Sequence, residues 1–259
     1  GGYAPLSQKE VLLVQYDQVL PGIFLSRPNR FVAWVRLPGG QEEQVHVKNT
    51  GRCRELLVPG CRVWLEDSGG RPGRKTRFSL IAVEKGDLLI NMDSQAPNQV
   101  AAEAVADGSL LLPGYRRPPQ VLRREVREGD SRFDLFLQGG GPDTFLEVKG
   151  VTLEEDGAVY FPDAPTLRGA KHLRHLAALA RAGQQAAVLF VIQMERAAFF
   201  APNLRTHPDF GAALWEASQA GVAILAHRCR VAPDRLTLGD PVPIRLVSPS
   251  TTSQGGIVP

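Results

Sequence analysis

The fold is decided by two short stretches, Arg132-Phe-Asp-Leu-Phe-Leu137 and Phe145-Leu-Glu-Val-Lys-Gly150, joined by the turn Gln138-Gly-Gly-Gly-Pro-Asp143. Each reads as a strand, and so short a turn brings the two side by side. Residues two apart on a strand share a face. Glu147 and Lys149 therefore point one way, and Leu146 and Val148 point the other way into apolar core. Asp134, between Phe133 and Leu135, sets a carboxylate where the pattern calls for burial, and the hairpin carries it toward Glu147. Two carboxylates and an ammonium on one sheet face are costly unless a ligand or a reaction uses them. The dipeptide Pro142-Asp143 is no substitute for Asp134, because Asp143 stands in the turn, too close to Glu147 to occupy a separate strand.

Working outward, residues 98–106 have helical composition, with Asn98 placed to cap the helix and Gly108 to stop it. Residues 121–127 form a further strand. Residues 167–182 form a helix capped by Thr166 and closed by Gly183, and the apolar run 186–193 suits a strand buried on both faces. A helix at 210–220 and a strand at 222–226 follow. That order describes an α/β domain with a mixed α+β sheet over residues 91–247. Residues 20–90 are different: strands at 30–37, 44–48, 61–66 and 78–84 alternate with Gly- and Asn-containing turns, the signature of a small all-β barrel. The connector falls near 89–97, residues 1–19 form an N-terminal segment, and the polar stretch 248–259 is expected to be a disordered tail.

Composition narrows the function classes. The chain has 259 residues, 43% hydrophobic and 22% charged, which suits a folded soluble protein. No apolar run reaches the roughly 18 residues of a membrane span, and the first thirty residues lack the order of a secretory signal. Cys53, Cys61 and Cys229 show no CxxC spacing, so a disulfide framework and a structural zinc site are both disfavoured and a cytoplasmic protein with reduced thiols is expected. The net charge is only +3, yet residues 20–88 carry twelve Lys/Arg against seven Asp/Glu. A basic N-terminal unit on a larger near-neutral one suggests a polyanion partner. The residues leave a homo-oligomer open and give no sign of a membrane partner.

The chemistry that suits Asp134, Glu147 and Lys149 is metal-assisted phosphodiester hydrolysis. Two carboxylates hold a hard cation such as Mg²⁺ or Mn²⁺ through oxygen, and a nearby lysine orients water or stabilises developing charge. The Asp … Glu-x-Lys pattern resembles the PD-(D/E)xK nuclease superfamily. That resemblance implies a further glutamate on the preceding helix, a place that Glu103 matches. At helical spacing Arg168, Lys171, His172 and His175 make a cationic stripe beside Leu173 and Leu176, suited to phosphate contact. A metal-ligand role for the two histidines lacks a third ligand of matching type.

A wider resemblance rests on His46-Val-Lys-Asn-Thr-Gly-Arg-Cys-Arg-Glu-Leu56, Arg74-Lys-Thr-Arg77, Asn98 to Glu103, Arg132-Phe-Asp134, Phe145-Leu-Glu-Val-Lys-Gly-Val-Thr152 and Tyr160-Phe-Pro-Asp-Ala-Pro-Thr-Leu-Arg-Gly-Ala-Lys-His-Leu173. In these the chain resembles the sugar fermentation stimulation protein A family over roughly residues 20–247. The resemblance implies an N-terminal OB-fold, a C-terminal PD-(D/E)xK-like domain and DNA binding, with a weaker implication of a regulatory effect on sugar, notably maltose, metabolism.

OB-folds bind nucleic-acid strands by aromatic stacking in a basic groove. Here Trp34 shares a face with Arg36, and Trp64 with Arg62. Arg74, Lys75 and Arg77 occupy a Gly-rich loop suited to phosphate contact, and Arg52 lies in the first matching stretch. Two functions are therefore expected as alternatives. One is a metal-dependent nuclease acting on DNA held partly by the OB-fold. The other is a non-catalytic DNA-binding regulator that keeps the nuclease fold as scaffold. No helix-turn-helix is evident to support base-specific reading.

Overall fold

A computed structural model describes residues 13–49, 51–70, 72–73 and 75–249. Its first half is built from β1 (Val14–Gln15), β2 (Val19–Asn29), β3 (Val32–Arg36), β4 (Glu42–Val47), β5 (Arg62–Asp67), β6 (Phe78–Lys85) and β7 (Leu88–Asn91). Strands β2 to β7 form a sheet in the order β4-β3-β2-β5-β6-β7, and the parallel pairing of β4 with β6 at His46↔Ser79 and Val47↔Leu80 closes it into the expected OB barrel. Alternation does the filling: Ala33 and Val35, Val45 and Val47, Val63 and Leu65 are buried from successive strands. The long β2 has no counterpart in the strands read from sequence, because Pro21, Gly22 and Pro28 break the usual strand composition.

The second half follows with α1 (Ala96–Asp107), β8 (Val121–Glu128), β9 (Ser131–Gln138), β10 (Thr144–Val151), β11 (Leu153–Glu155), β12 (Ala158–Phe161), α2 (Leu167–Arg181), β13 (Gln185–Ile192), β14 (Phe200–Pro202), α3 (Pro208–Gln219), β15 (Ala223–Ala232) and β16 (Arg235–Pro241). Its seven-stranded sheet has the order β1-β16-β15-β13-β10-β9-β8 and is mixed, with β10, β13 and β15 parallel. One apolar layer joins the sheet to α1. The other joins it to α2 and α3 and runs on without a break into the barrel interior, from Leu173 and Phe190 to Val47 and Leu80. Phe133, Phe190, Phe200 and Phe210 are fully buried, each stabilising the fold by about 1.5–3 kcal/mol.

Part of the expected N-terminal segment belongs to the second sheet. β1 pairs with β16 at Val14↔Leu236, and Val14 and Tyr16 are buried in the layer under α1, so this stretch joins the second sheet before β2 enters the barrel. Residues 1–12 and 250–259, most of the expected tail, lie outside the described residues. The helix α1 begins earlier than its sequence suggests: Gln95 is the N-cap, Pro97 falls in the first turn, and Gly108 at φ 82° closes it. Asn98 is therefore inside the helix and cannot cap it, which frees its side chain for another role.

Candidate active site

Asp134 sits where the alternation of β9 breaks. Phe133 and Phe136, three apart, both lie in the layer under α2, whereas Leu135 and Leu137 lie in the layer under α1. The β9–β10 register runs through Thr144↔Leu137 and Phe145↔Phe136 to Leu146↔Leu135. Beyond it the Asp134 carboxylate takes over from the ladder: Oδ2 accepts from the Val148 N–H at 2.7 Å, and Oδ1 accepts from Asn98 Nδ2 at 2.8 Å. Burial, and then the charge of Glu147, push the Asp134 carboxyl up to about 6.

Glu147 is 3% exposed on β10, the strand between β9 and β13. Its Oε1 accepts from Lys149 Nζ at 2.5 Å, two residues along the same face, and lies 2.7 Å from His172 Nδ1 on α2. Burial alone would raise this carboxyl, but the His172 hydrogen bond and the Lys149 ammonium outweigh it and hold Glu147 below the ordinary carboxylate range. The other oxygen, Oε2, is buried and has no hydrogen-bond partner. An unsatisfied buried acceptor costs about 1–3 kcal/mol, so the arrangement suits a cation at that oxygen. The glycine after Lys149 is also required by packing: a Cβ at Gly150 would stand 2.6 Å from both Gln193 Oε1 and Pro97 Cγ.

Two of the expected residues take other places. Glu103 lies more than one turn further along α1 than Asn98, and its Oε2 accepts from the Val14 N–H of β1 at 3.3 Å. It is buried there, its carboxyl raised by burial against the lowering effect of Val14, so the position facing Asp134 belongs to Asn98 instead. The cationic stripe on α2 also divides. His172 is 5% exposed and faces Glu147, and His175 Nδ1 lies 2.7 Å from Ser131 Oγ, with the Phe133 ring against both imidazoles. His172 is thus a support for Glu147 rather than an outward phosphate contact. Arg168 and Lys171 are exposed, with Arg168 Nε 3.5 Å from His172 Nε2. Thr166 caps α2 as expected, its side chain accepting from Gly169 N.

The expected nucleic-acid residues are spread over the barrel. Trp34 is 40% exposed, and its neighbour Arg36 pairs with Glu42. Trp64 is only partly exposed: its indole N–H donates to Glu84, Arg62 lies over its ring, and its body packs against the layer under α1. Arg77 is held by both oxygens of Asp67, at 2.9 and 2.7 Å. Lys75 beside it is exposed, and Arg74 lies outside the described residues. Arg52 is exposed on a loop clamped by Arg27, whose guanidinium donates to the carbonyls of Asn49, Gly51, Arg52 and Arg30. That loop meets the lead-in to α2, where a Cβ at Gly51 would stand 3.0 Å from Asp163 Oδ2.

Residues 25–92 match the family described as SfsA N-terminal OB domain, and residues 95–235 match the sugar fermentation stimulation protein RE domain. The chain belongs to the sugar fermentation stimulation protein family. A family relative from Desulfitobacterium hafniense strain Y51, named sugar fermentation stimulation protein homolog, is 50% identical over 234 residues, covering 90% of this chain and 99% of its own. A homolog from Clostridium beijerinckii is 46% identical over 233 residues, covering 90% and 100%. Among solved structures, that of Pyrococcus furiosus SfsA in complex with Ca²⁺ superposes with a TM-score of 0.77 at 28% identity, covering 90% of this chain and 99% of that one.

In this member of the sugar fermentation stimulation family, three further residues escape a reading of the sequence alone. Asn98 has the look of a cap. Arg123 and Arg124 on β8 have the look of an ordinary exposed strand, yet with Asn98 and Arg132 they line a cleft of about 620 Å³ that has Asp134 in its wall. Two adjacent arginines on the strand next to an aspartate-bearing one are the available signal.

Proposed function

We propose that the protein binds DNA across the junction of barrel and sheet and hydrolyses a phosphodiester bond there, with Mg²⁺ or Mn²⁺ held by Asp134 and Glu147. The observation that carries this reading is the buried, unpartnered Oε2 of Glu147, on a carboxylate whose other oxygen is already held by Lys149 and His172. Among the described residues no cluster of three or more His, Cys, Asp and Glu could hold a metal. A two-carboxylate donor set fits a hard ion that keeps water or phosphate oxygens for its remaining positions. The Ca²⁺ complex of Pyrococcus furiosus SfsA supports a divalent ion in the family. When bound, the ion polarises the phosphate and makes a coordinated water more acidic.

The rest is the work of this chain's own side chains. Asn98 and the Val148 N–H stop Asp134 from swinging away. His172 and Lys149 fix Glu147, and the Lys149 ammonium stands ready to orient water or to stabilise charge on a phosphate oxygen. Exposed Arg52, Lys75, Arg168, Lys171 and the face of Trp34 supply contacts for the strand. Three free cysteines suit the reducing cytoplasm, and no helix among the described residues is long and apolar enough to cross a membrane.

The test is a cleavage assay on single-stranded, duplex and branched DNA with Mg²⁺, Mn²⁺ or EDTA, beside calorimetric titration of Mn²⁺. Metal binding with metal-dependent cleavage of at least one substrate is the expected result. No Mn²⁺ binding at millimolar concentration and no cleavage would overturn the enzymatic reading, leaving a DNA-binding scaffold.

A further inference from the structure

Arg124 is a half-buried cation. Its Nη2 donates to the neutral Gln99 amide oxygen at 2.6 Å, its Nε is buried and unpartnered, and it pairs with no carboxylate among the described residues. Elsewhere in the chain Arg174, Arg181, Arg205 and Arg228 each meet an acidic side chain. Its neighbours add positive charge. Arg123 adds charge from the other face of β8, where it lies over the Phe136 ring and its Nη2 donates to the Gln138 amide at 3.1 Å. Arg132 makes a long, exposed contact to Glu125 at 3.4 Å. Removing a guanidinium from water without an opposite charge is unfavourable unless an anion completes the site.

The position is as informative as the charge. Arg124 pairs with Leu135 in the β8–β9 ladder, one residue from Asp134, and adjacent strands lie about 5 Å apart. Successive residues of α1 tie the two together, since Asn98 holds Asp134 while Gln99 holds Arg124. Both groups open on the same cleft. We infer that this cleft is a phosphate-binding subsite in which the Arg124 guanidinium, with Arg132 on the neighbouring strand, grips a phosphate of the nucleic-acid strand next to the one being cut. The inference rests on the nucleic-acid reading of the Asp134–Glu147 site and adds where the neighbouring phosphate goes. A planar, donor-rich fork matches phosphate oxygens, which is why arginine serves here better than lysine. The phosphate is an internal diester or a terminal monoester; the chemistry of recognition is shared.

The experiment has two arms on the full chain. In the first, inorganic phosphate is titrated while the arginine Nε–H signals are followed by ¹⁵N NMR, the Arg124 signal being assigned by its loss in Arg124→Gln. A saturable shift of that signal is expected, and a signal that stays in place overturns the subsite whatever DNA does. In the second, oligonucleotides of one length bearing a 5′-phosphate, a 3′-phosphate or neither are bound in EDTA. Arg124→Gln should weaken binding roughly tenfold and lower the salt slope by about one, with Arg124→Lys restoring the slope but not the full affinity. A loss confined to one phosphorylated end identifies a terminal phosphate, and an equal loss on all three identifies a diester. Unchanged affinity and slope in Arg124→Gln, with wild type still binding, would overturn the subsite and leave the nucleic-acid reading standing. Wild type that binds no oligonucleotide while its Arg124 signal still moves with phosphate would do the reverse. Mn²⁺ affinity and melting temperature of both variants should match wild type, which separates the loss from misfolding or metal loss.

Discussion

His172 Nδ1 on α2 lies 2.7 Å from Oε1 of Glu147 on β10, and both side chains are buried. Because a carboxylate only accepts, Nδ1 carries the proton. Together with Lys149 this saturates one oxygen of Glu147 and leaves the other, Oε2, as its outlet. A helix from one side of the sheet thereby fixes which carboxylate oxygen is offered to a cation.

Removing that support should loosen the site before it unfolds the protein. His172→Ala is expected to lower stability by about 1–3 kcal/mol, since Glu147 loses a buried charge-assisted donor. It should also weaken Mn²⁺ binding by roughly 10–100-fold, the usual effect of deleting a residue behind a ligand. Thermal melting and calorimetry check both, and an unaltered Mn²⁺ affinity would dismiss His172 as a positioning residue.

Asp134→Asn removes a ligand and a repulsion together. Burial and Glu147 raise the Asp134 carboxyl to about 6 in the folded chain, against an unfolded value near 3.8. The folded state therefore binds this proton more tightly, and wild type loses the corresponding stability as pH rises from about 4 through 6. The variant should melt at least as high as wild type at pH 8 and show a flatter pH profile, with its Mn²⁺-induced rise in melting temperature abolished.

Metal affinity should itself titrate. An ion at Asp134 must displace that proton, so affinity is expected to hold above about pH 6 and to fall below it by up to about tenfold per pH unit. Calorimetry at pH values on either side of the raised carboxyl reads this directly. A pH-independent affinity would mean that Asp134 is not a ligand.

Lys149→Met separates chemistry from binding. The lysine touches Glu147 but is no metal ligand, so the Mn²⁺ shift should persist while cleavage is lost. DNA binding in EDTA should survive, because the outward cations lie on other elements.

Arg52, Arg54 and Lys171 are exposed and form no ion pair among the described residues, unlike Arg77, which Asp67 already holds. Replacing the three with alanine should flatten the salt dependence of DNA affinity by up to about three units, whereas Arg77→Ala alone should change it by less than one. Equal effects would show that Asp67 releases Arg77 on binding.

The hairpin that carries Asp134, Glu147 and Lys149 is legible in the sequence because strand alternation and a short turn act within twenty residues. The barrel is legible for the same reason, through short apolar alternations and the turns between them. What local pattern cannot state is which face of a helix meets which strand. The His172–His175 spacing describes an inward or an outward stripe equally well, and only the packing of α2 on β9 and β10 turns both rings inward. Asn98 reads as a cap, while the Pro97 turn moves the helix start upstream and leaves that amide free to hold Asp134. Glu103 reads as a third carboxylate for the site, but the pairing of β1 with β16, between segments more than two hundred residues apart, sets a backbone N–H beside it. The hairpin and the shorter barrel strands are determined by the sequence itself, through alternation and turns between neighbours along the chain, whereas β2 and the closure of the barrel by β4 and β6 are not. The supports behind Asp134 and Glu147, and the arginines beside Asp134, are decided only by the tertiary structure, through long-range contacts whose energy belongs to the assembled core.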